Sequence, residues 1–289
     1  MAEPMKHLFA VLPFKEQLLM EEDLSIEEIR LTKGKRIRLL TKRGERELPT
    51  YVHGDLIQEI IDRCTGRSTY GMMEMMKNGF LILPGGHRLG ICGTGVYKDG
   101  KLRTIRDISS INIRVARAVK GFGGPIADYL WQNPGSALCM GPPGRGKTTL
   151  LRDVIFQLST QYHQRISVID ERMELAATID GYPQFDLGPT TDILSSVGKQ
   201  DGINMLIRTM GPTWIALDEI TQIEDVDAMI RGSYCGVKYL ATAHGEGRKD
   251  LSARPVYQKL LESKVFKYLF YIDSARNIKK EDLTLCSES

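Results

Sequence analysis

The sequence predicts an α/β protein in which a mostly parallel sheet covered by helices is preceded by a smaller α+β domain. After residue 121, short apolar runs alternate with helix-length segments, and that alternation is typical of a parallel sheet. Before residue 120, short alternating segments and the hairpin signal Asp99-Gly100 indicate a small mixed domain. We therefore expect two domains, over residues 1–120 and 121–289.

The composition is that of an ordinary globular protein of the cytoplasm. Of the 289 residues, 42% are hydrophobic and 26% are charged, and no stretch reaches the roughly 20 apolar residues that a membrane-spanning helix needs. The five cysteines form no CxxC pair, which argues against a zinc module and predicts a reducing compartment. The net charge of +3 is too small to indicate a nucleic-acid-binding protein.

The first domain carries both helical and alternating apolar patterns. The apolar run within residues 1–24 is broken by a proline and a lysine, so it predicts an amphipathic helix instead of a signal peptide. Apolar alternation between Ile26 and Leu40 predicts short strands around a turn. The three- and four-residue spacing in LIQEIIDRC predicts a helix that starts near Asp55.

Two further features of this domain are interpreted as structural. A short helix is predicted to end at Asn78-Gly79, and its four methionines are expected to pack in a core or in a subunit interface. These are Met72, Met73, Met75 and Met76. The glycines of Gly90-Ile-Cys-Gly-Thr-Gly95 lie in an alternating strand, where glycine indicates a bulge or a close neighbour.

The second domain begins at a glycine-rich joint. The joint is the stretch from Gly121 to Pro125, and Pro125 is expected to open a helix. Five apolar runs then predict the strands of the parallel sheet, namely SALCMG, RISVID, TWIALDE, KYLATAH and FKYLFYI.

The strongest motif is a phosphate-binding loop. The stretch from Gly141 to Thr148 matches GxxxxGK[ST] at every position, with a predicted strand before it and a predicted helix after it. Backbone N–H groups of such a loop surround phosphate oxygens, and the helix N-terminus adds a positive dipole end. Lys147 is expected between the β- and γ-phosphates, and the Thr148 hydroxyl is expected on Mg²⁺. The expected nucleotide-binding residues are Gly141, Pro142, Pro143, Gly144, Arg145, Gly146, Lys147, Thr148 and Thr149.

Two of the predicted strands end in a pair of acids. Asp218 and Glu219 follow an apolar run, which is expected to form a buried strand beside the phosphate-loop strand. Asp218 would then hold Mg²⁺ through water. Glu219 could orient or deprotonate the attacking water. Asp170 and Glu171 end another strand in the same way, so Glu171 is a second candidate base. The structural alternative is a capping role for Asp170 with Arg172 as its surface partner.

A third strand ends in His244. If this strand neighbours the strand that carries Asp218, His244 could contact the γ-phosphate. The alternative is a histidine with a purely structural role.

These motifs together resemble the secretion-ATPase branch of the RecA-like motors, the hexameric engines of type II and type IV secretion. The resemblance rests on GPPGRGKTTLLRD, VIDERMELA, MLIRTMGPTWIALDEI and ATAHG. It implies that Asp170-Glu171 corresponds to the acidic box of that branch and His244 to its histidine box. It also implies ATP and Mg²⁺ as cofactors, ATP hydrolysis as the reaction, and a homo-oligomer, most simply a ring of six.

The chain is more similar still to the stage III sporulation ATPases of endospore-forming bacteria. GGHRLGICGTGV and INIRVAR add to the motifs above, and the resemblance covers roughly residues 75–245. It implies a cytoplasmic location on the mother-cell side and, as partners, membrane proteins of a channel complex between mother cell and forespore. The chain departs from the family pattern at Thr221, where glycine is expected, and at Ser195–Gly198, which replace a Cys-Pro turn.

Motors of this kind need an arginine from a neighbouring subunit. Alternation places Arg114 on the strand face opposite the isoleucines, and Arg88 opposite Leu89, so both are expected to be exposed. The family resemblance favours strand arginines just before the motor domain in this role. Arg106 and Arg117 are weaker candidates, Arg145 is expected to face solvent, and the alternative is that all of them are ordinary surface arginines.

Two other functions stay open from the sequence. RecA-like domains also form nucleic-acid motors or clamps, although the near-neutral charge and the lack of a basic, aromatic-rich stripe argue against direct nucleic-acid binding. An ATP-dependent assembly scaffold with little turnover is the second alternative. The two acidic strand ends argue against it.

Overall fold

The chain folds into two compact units. The computed structural model describes residues 3–14, 17–18, 25–66, 79–117, 120–245 and 248–284. The N-terminal unit comprises Met1–Arg117 and Ile179–Gln184, and the core unit comprises Ala118–Thr178 and Phe185–Ser289. Part of the predicted helix over residues 1–24, and the methionine-rich helix before Gly79, lie outside the described residues.

The N-terminal unit is built on an antiparallel sheet of six strands in the order β3-β2-β1-β6-β5-β4. Its elements are α1 Glu3–Val11, β1 Ile26–Thr32, β2 Arg36–Thr41, β3 Gly44–Tyr51, α2 Gly54–Thr65, β4 Phe80–Leu83, β5 His87–Lys98 and β6 Lys101–Arg114. Isoleucines and leucines from alternate strand positions form its core together with the apolar face of α2.

The turns of this unit follow the sequence signals. Asp99 and Gly100 both have positive φ angles, 52° and 70°, which suit the tight hairpin predicted between β5 and β6. β3 was missed, because in its sequence GERELPTY only Leu48 is buried and no apolar alternation is visible.

Gly93 confirms the structural interpretation of the glycines in β5. The pairing of β5 with β6 shifts register between Cys92 and Thr94, which places Gly93 at a bulge. A Cβ atom at this position would lie 2.5 Å from the carbonyl oxygen of Arg106, so only glycine allows the two backbones to approach this closely.

The core unit contains a seven-stranded sheet in the order β13-β12-β7-β11-β10-β8-β9. All neighbouring pairs are parallel except β12 and β13. Its elements are α3 Gly124–Gln132, β7 Ala137–Gly141, α4 Lys147–Tyr162, β8 Ile166–Asp170, β9 Thr191–Ser195, α5 Lys199–Thr209, β10 Trp214–Leu217, α6 Ile223–Ser233, β11 Lys238–His244, α7 Arg248–Ala253, α8 Pro255–Ser263, β12 Tyr268–Ile272 and β13 Ile278–Asp282. The five predicted strands all form, and the predicted α/β class with a mostly parallel sheet is confirmed.

Helices cover both faces of this sheet. α3 and α4 pack on one face, and α5, α6 and α8 pack on the other. The strands between them are therefore buried along their whole length, and β7, β8 and β10 are apolar runs without alternation. β9 and β13 were missed because they are edge strands with few buried side chains.

The carboxyl ends of the parallel strands meet at one edge of the sheet. His244 on β11 lies level with Gly141 on β7, and Leu217 on β10 lies level with Ile169 on β8. The motifs that follow these strands are thereby collected at one place, as open α/β sheets collect ligand-binding residues. Among the described residues, no helix is long and apolar enough to cross a membrane.

Candidate functional site

The phosphate-binding motif forms a loop between β7 and α4. Gly144 and Gly146 adopt left-handed conformations, with φ angles of 72° and 90°, which turn the loop into the N-terminus of α4. Gly141 packs directly against β12, where a Cβ atom would lie 2.8 Å from the carbonyl oxygen of Ile272. Arg145 is exposed, as expected. This loop is shaped to bind phosphate oxygens with backbone N–H groups.

Lys147 is the buried cation of the loop. Only 6% of the residue is exposed. Its Nζ donates a hydrogen bond to the carbonyl oxygen of Pro142 at 3.0 Å and lies 2.9 Å from Nδ1 of His244. Burial lowers the pKa of Lys147, and the nearby carboxylates of Glu219 and Asp218 oppose that effect.

Thr148 and Asp218 form a hydroxyl–carboxylate pair beside Lys147. The Thr148 hydroxyl lies 3.5 Å from Oδ2 of Asp218, and the Thr242 hydroxyl donates to Oδ1 at 2.6 Å. Hydroxyl and carboxylate oxygens are the ligands that Mg²⁺ prefers, so these residues fit a magnesium ion bound with nucleotide phosphates.

The position of Asp218 differs in one respect from the prediction. The sequence predicts the Asp218 strand beside the phosphate-loop strand, and this was wrong, because β11 lies between β7 and β10. Helical crossovers connect strands that need not be adjacent, so chain order does not determine spatial order. The inserted strand contributes Thr242 and His244 to the site.

His244 connects Lys147 with Glu219. Its Nε2 lies 3.3 Å from Oε2 of Glu219, while Nδ1 faces the ammonium group of Lys147. An ammonium group can only donate, so Nδ1 accepts from Lys147, and Nε2 is the ring nitrogen that faces Glu219. β11 does neighbour β10, which was the condition for placing His244 at the phosphate loop.

Asp170 has a structural role in this arrangement. It is only 1% exposed, and its two carboxylate oxygens accept four backbone N–H bonds of 2.8–3.0 Å. The donors are Glu174, Leu175, Ala176 and Ala177. The capping alternative therefore describes Asp170, but its expected partner was wrong, because Arg172 lies against Glu219 at 3.7 Å.

The Glu171 carboxylate contacts a buried lysine. It forms an ion pair with Lys199, the first residue of α5. Of the two candidate bases, Glu219 thus adjoins the phosphate-loop lysine through His244, whereas Glu171 is held by α5.

The sequence interpretation missed three residues at this edge. Thr242 could have been found, because it lies two positions before His244 and so shares its strand face. Lys199 and Arg152 carried no motif. Arg152, one turn after Thr148, stacks on the Phe185 ring at 3.9 Å. Its burial lowers the pKa of the guanidinium, opposed by the carboxylates of Asp218, Asp170 and Glu174.

The two favoured arginines lie in the N-terminal unit, so they are not among the residues that the core unit brings together. Arg88 and Arg114 are directly opposite on β5 and β6. The Arg114 side chain is 68% exposed, as expected, and its Nε lies 3.3 Å from Oε1 of Glu28. The expected exposure of Arg88 was wrong, because its guanidinium stacks on the Phe80 ring at 3.8 Å and the residue is partly buried.

The weaker arginine candidates have local partners. Arg106 is exposed and lies 3.4 Å from the Asp107 carboxylate. Arg117 donates to the carbonyl oxygen of Ile26 at 3.1 Å.

Comparison with known proteins shows the family of this chain. The model of the family described as "Sporulation stage III, protein AA" matches residues 9–280. Stage III sporulation protein AA of Bacillus subtilis is 36% identical over 273 residues, which cover 91% of this chain and 86% of that protein.

Solved structures show the same fold. The Legionella pneumophila ATPase DotB superposes with a TM-score of 0.58 at 14% identity, over 92% of this chain and 78% of that chain. The pilus retraction motor PilT with bound ADP superposes with a TM-score of 0.63 at 17% identity, over 89% of this chain and 76% of that chain. The predicted RecA-like P-loop fold of the secretion ATPases is thereby confirmed.

Proposed function

The chain belongs to the Sporulation stage III, protein AA family, and from this membership and the geometry of the site we propose that it is a Mg²⁺-dependent ATPase that works as a secretion-type motor. The observation that carries the proposal is the connected set Lys147–His244–Glu219 beside the pair Thr148–Asp218. It combines a phosphate-binding cation, oxygen ligands for a metal ion and a carboxylate base at one sheet edge.

Each residue of this set has a distinct task in the proposed reaction. Lys147 and the loop amides, from Gly141 to Thr149, bind the β- and γ-phosphates of ATP. Thr148 and Asp218 would hold Mg²⁺, and a bound Mg²⁺ would supply positive charge beside the phosphates. Glu219 accepts the proton of the attacking water, so that the γ-phosphoryl group leaves as inorganic phosphate and ADP remains.

His244 orients the base. Because Nε2 lies 3.3 Å from Glu219 while Nδ1 accepts from Lys147, the imidazole fixes the distance between the base and the phosphate-binding lysine. Its place between these two groups also makes it the side chain that responds to γ-phosphate.

We propose a ring, most simply a hexamer, as the working form. The N-terminal domain, over residues 1–120, supplies Arg88 and Arg114 to the site of a neighbouring subunit, and head-to-tail contacts of this kind close into rings. In the cytoplasm of the mother cell, the ring would act on membrane proteins of a channel complex that connects mother cell and forespore. The family and the resemblance to secretion motors support this part of the proposal.

Turnover and particle mass, measured with and without ATP, test the proposal. We expect ATP hydrolysis that requires Mg²⁺, a larger particle in the presence of ATP, and no stimulation by single-stranded or duplex DNA. Lys147→Ala should abolish or severely weaken nucleotide binding, because it removes the buried cation of the loop. Normal hydrolysis by this variant would disprove the phosphate-loop assignment, and strong stimulation by DNA would favour a nucleic-acid motor.

A mixing experiment tests the shared site. Arg114→Ala should bind ATP but hydrolyse it roughly 10³-fold more slowly, the scale of an arginine donated in trans. Mixed with Lys147→Ala protein it should recover turnover, because some sites then combine an intact Lys147 with an intact Arg114. Arg106→Ala, on the same strand and equally exposed, is the control and should hydrolyse ATP normally. Full activity of both Arg114→Ala and Arg88→Ala would exclude the N-terminal domain as a catalytic partner.

A further inference from the structure

A buried lysine links the end of β8 to the start of α6. Lys199 forms an ion pair with Glu171, and its Nζ lies 4.0 Å from Oδ2 of Asp225. The side chains of Lys199 and Asp225 are only 6% and 8% exposed. One ammonium group therefore stands between two carboxylates that belong to different elements of the core unit.

Asp225 is itself bound to the backbone of its own segment. It is the third residue of α6, and its Oδ2 accepts the backbone N–H of Gln222 at 3.3 Å and lies 3.5 Å from that of Thr221. The Gln222 side chain completes a capping box with the N–H of Asp225. A displacement of Asp225 would therefore also displace the turn that connects Glu219 with α6.

This turn has few other anchors. Thr221, Gln222, Ile223 and Glu224 are exposed, and only Ile220 and Asp225 are buried. A polar cavity of about 210 Å³ is lined by this turn, by the residues after β8 and by the start of α5. Packing and one backbone hydrogen bond, donated by the Ile220 N–H to the carbonyl oxygen of Thr242 at 3.2 Å, hold the start of the turn, and the polar contacts of Asp225 hold its end.

The two residues after Asp170, Glu171 and Arg172, are linked to opposite ends of this turn. Arg172 lies against Glu219 at 3.7 Å, and Glu171 reaches Asp225 through Lys199. The end of β8 thus contacts Glu219 directly through Arg172, and it reaches Asp225 only through Lys199.

We propose that Lys199 is a positioning residue for Glu219, acting through Glu171 and Asp225; this rests on the proposed ATPase function, in which Glu219 is the base. Lys199 fixes the turn 219–225 to the end of β8, and the turn fixes the carboxylate of Glu219 at His244. Glu171 is then a member of this network and not the base. The network explains how a strand end can carry two acids without either one facing the nucleotide.

A purely structural ion pair would behave differently. Buried ion pairs often add little net stability, because desolvation offsets their attraction. If Lys199 only stabilised the fold, its replacement by an apolar side chain of similar length would change the free energy of unfolding and leave the turnover of the folded protein unchanged.

Lys199→Met tests the proposal, with turnover and nucleotide binding measured separately. We expect kcat to fall roughly tenfold to a hundredfold, the scale of a displaced catalytic group, while KM and the affinity for a non-hydrolysable ATP analogue change less than about twofold. Lys199→Arg should restore most of the loss, because it keeps the charge. Lys259→Met is the matched control, since Lys259 pairs at 2.6 Å with Asp227, two residues further along α6, and it should keep normal kcat.

A double-mutant cycle shows whether Lys199 acts through Glu171. Glu171→Gln alone should lower kcat by about as much as Lys199→Met, and the double variant should be no slower than either single variant. Additive losses would overturn the proposal, as would normal kcat in Lys199→Met. A Glu171→Gln loss that matches or exceeds that of Glu219→Gln would identify Glu171 as the base and overturn it as well. Glu171 is partly exposed, so this variant is informative even if Lys199→Met does not fold.

Hydrogen exchange tests the same network without ATP turnover. The amides of residues 220–226 should exchange roughly tenfold faster in Lys199→Met, or in Glu171→Gln if that variant alone folds, than in the unmodified protein, and Lys259→Met should leave them unchanged. Unchanged exchange in this segment would overturn the positioning role. A protein that shows this change and yet never hydrolyses ATP would refute the proposed function alone.

Discussion

The two acidic strand ends have the same sequence pattern and different surroundings. The sequence at the end of β8 is Val-Ile-Asp-Glu, with Glu171 just after the strand, and at the end of β10 it is Ala-Leu-Asp-Glu, with both acids just after the strand. The two strands are parallel neighbours whose last apolar residues are level. Asp170 is enclosed by a loop that donates four backbone N–H bonds to it. Asp218 instead faces the hydroxyls of Thr148 and Thr242.

The glutamates differ for the same reason. β10 has β11 on one side, which places His244 beside Glu219. β8 has β9 on its outer side, and α5 then supplies Lys199 to Glu171. The chemistry of a carboxylate at a strand end is therefore set by the adjacent strand and by the chain that follows, and not by the local motif.

The largest expected difference between the two ends is in stability. Asp170→Asn replaces an oxygen that accepts two N–H bonds with an NH₂ group, so it should lower the free energy of unfolding by about 3 kcal/mol. Asp218→Asn should lower it by less than about 1 kcal/mol, because Asp218 accepts from side-chain hydroxyls that can rotate. Urea unfolding followed by tryptophan fluorescence measures both, since Trp131 and Trp214 lie in the core unit. Equal losses would contradict the structural role of Asp170.

A smaller difference, in kcat, is expected between variants of β11, which neighbours β10, and of β9, which neighbours β8. His244→Gln should lower kcat by roughly tenfold to a hundredfold, because it breaks the link between Lys147 and Glu219. Ser195→Ala is the control on the other side, since Ser195 lies level with Asp170 on β9, and it should leave kcat unchanged. Steady-state ATP hydrolysis measures kcat of both variants. A lower kcat in Ser195→Ala would place β9 in the site.

The smallest expected effect concerns the Thr242 hydroxyl, which donates to the Asp218 carboxylate. Thr242→Val keeps the side-chain shape and removes the bond of 2.6 Å to Oδ1, worth about 1 kcal/mol. The Mg²⁺ concentration for half-maximal hydrolysis should rise about fivefold, while nucleotide affinity without Mg²⁺ stays the same. A Mg²⁺ titration that matches that of the unmodified protein would exclude Thr242 as a support for Asp218.

The sequence predicted most of the fold, and it singled out several of the residues that the core unit brings together. The apolar runs of β7, β8, β10, β11 and β12 were recognisable because burial on both faces requires continuous apolar residues. The loop around Lys147 was recognisable because its glycines and its strand–loop–helix context are specific. Asp218, Glu219 and His244 were candidates because each lies at the end of an apolar run that predicts a strand.

What the sequence could not predict depends on the spatial order of strands. β11 lies between β7 and β10, and this order alone makes His244 the bridge from Lys147 to Glu219. The partner of Glu171 was equally hidden, because Lys199 is 28 residues further along the chain and carries no motif. The edge strands β3, β9 and β13 lacked an apolar run because they bury few side chains.

Single-turnover hydrolysis by Glu219→Gln and Glu171→Gln, with ATP binding measured on the same samples, tests the central claim most directly. If Glu219 is the general base, Glu219→Gln should hydrolyse ATP at least about a hundredfold more slowly, the lower scale for loss of a general base, with ATP affinity unchanged. Glu171→Gln should then lose less, since it only weakens the support of the turn that carries Glu219. A greater loss in Glu171→Gln, or near-normal hydrolysis in Glu219→Gln, would contradict the assignment and place the base at the end of β8.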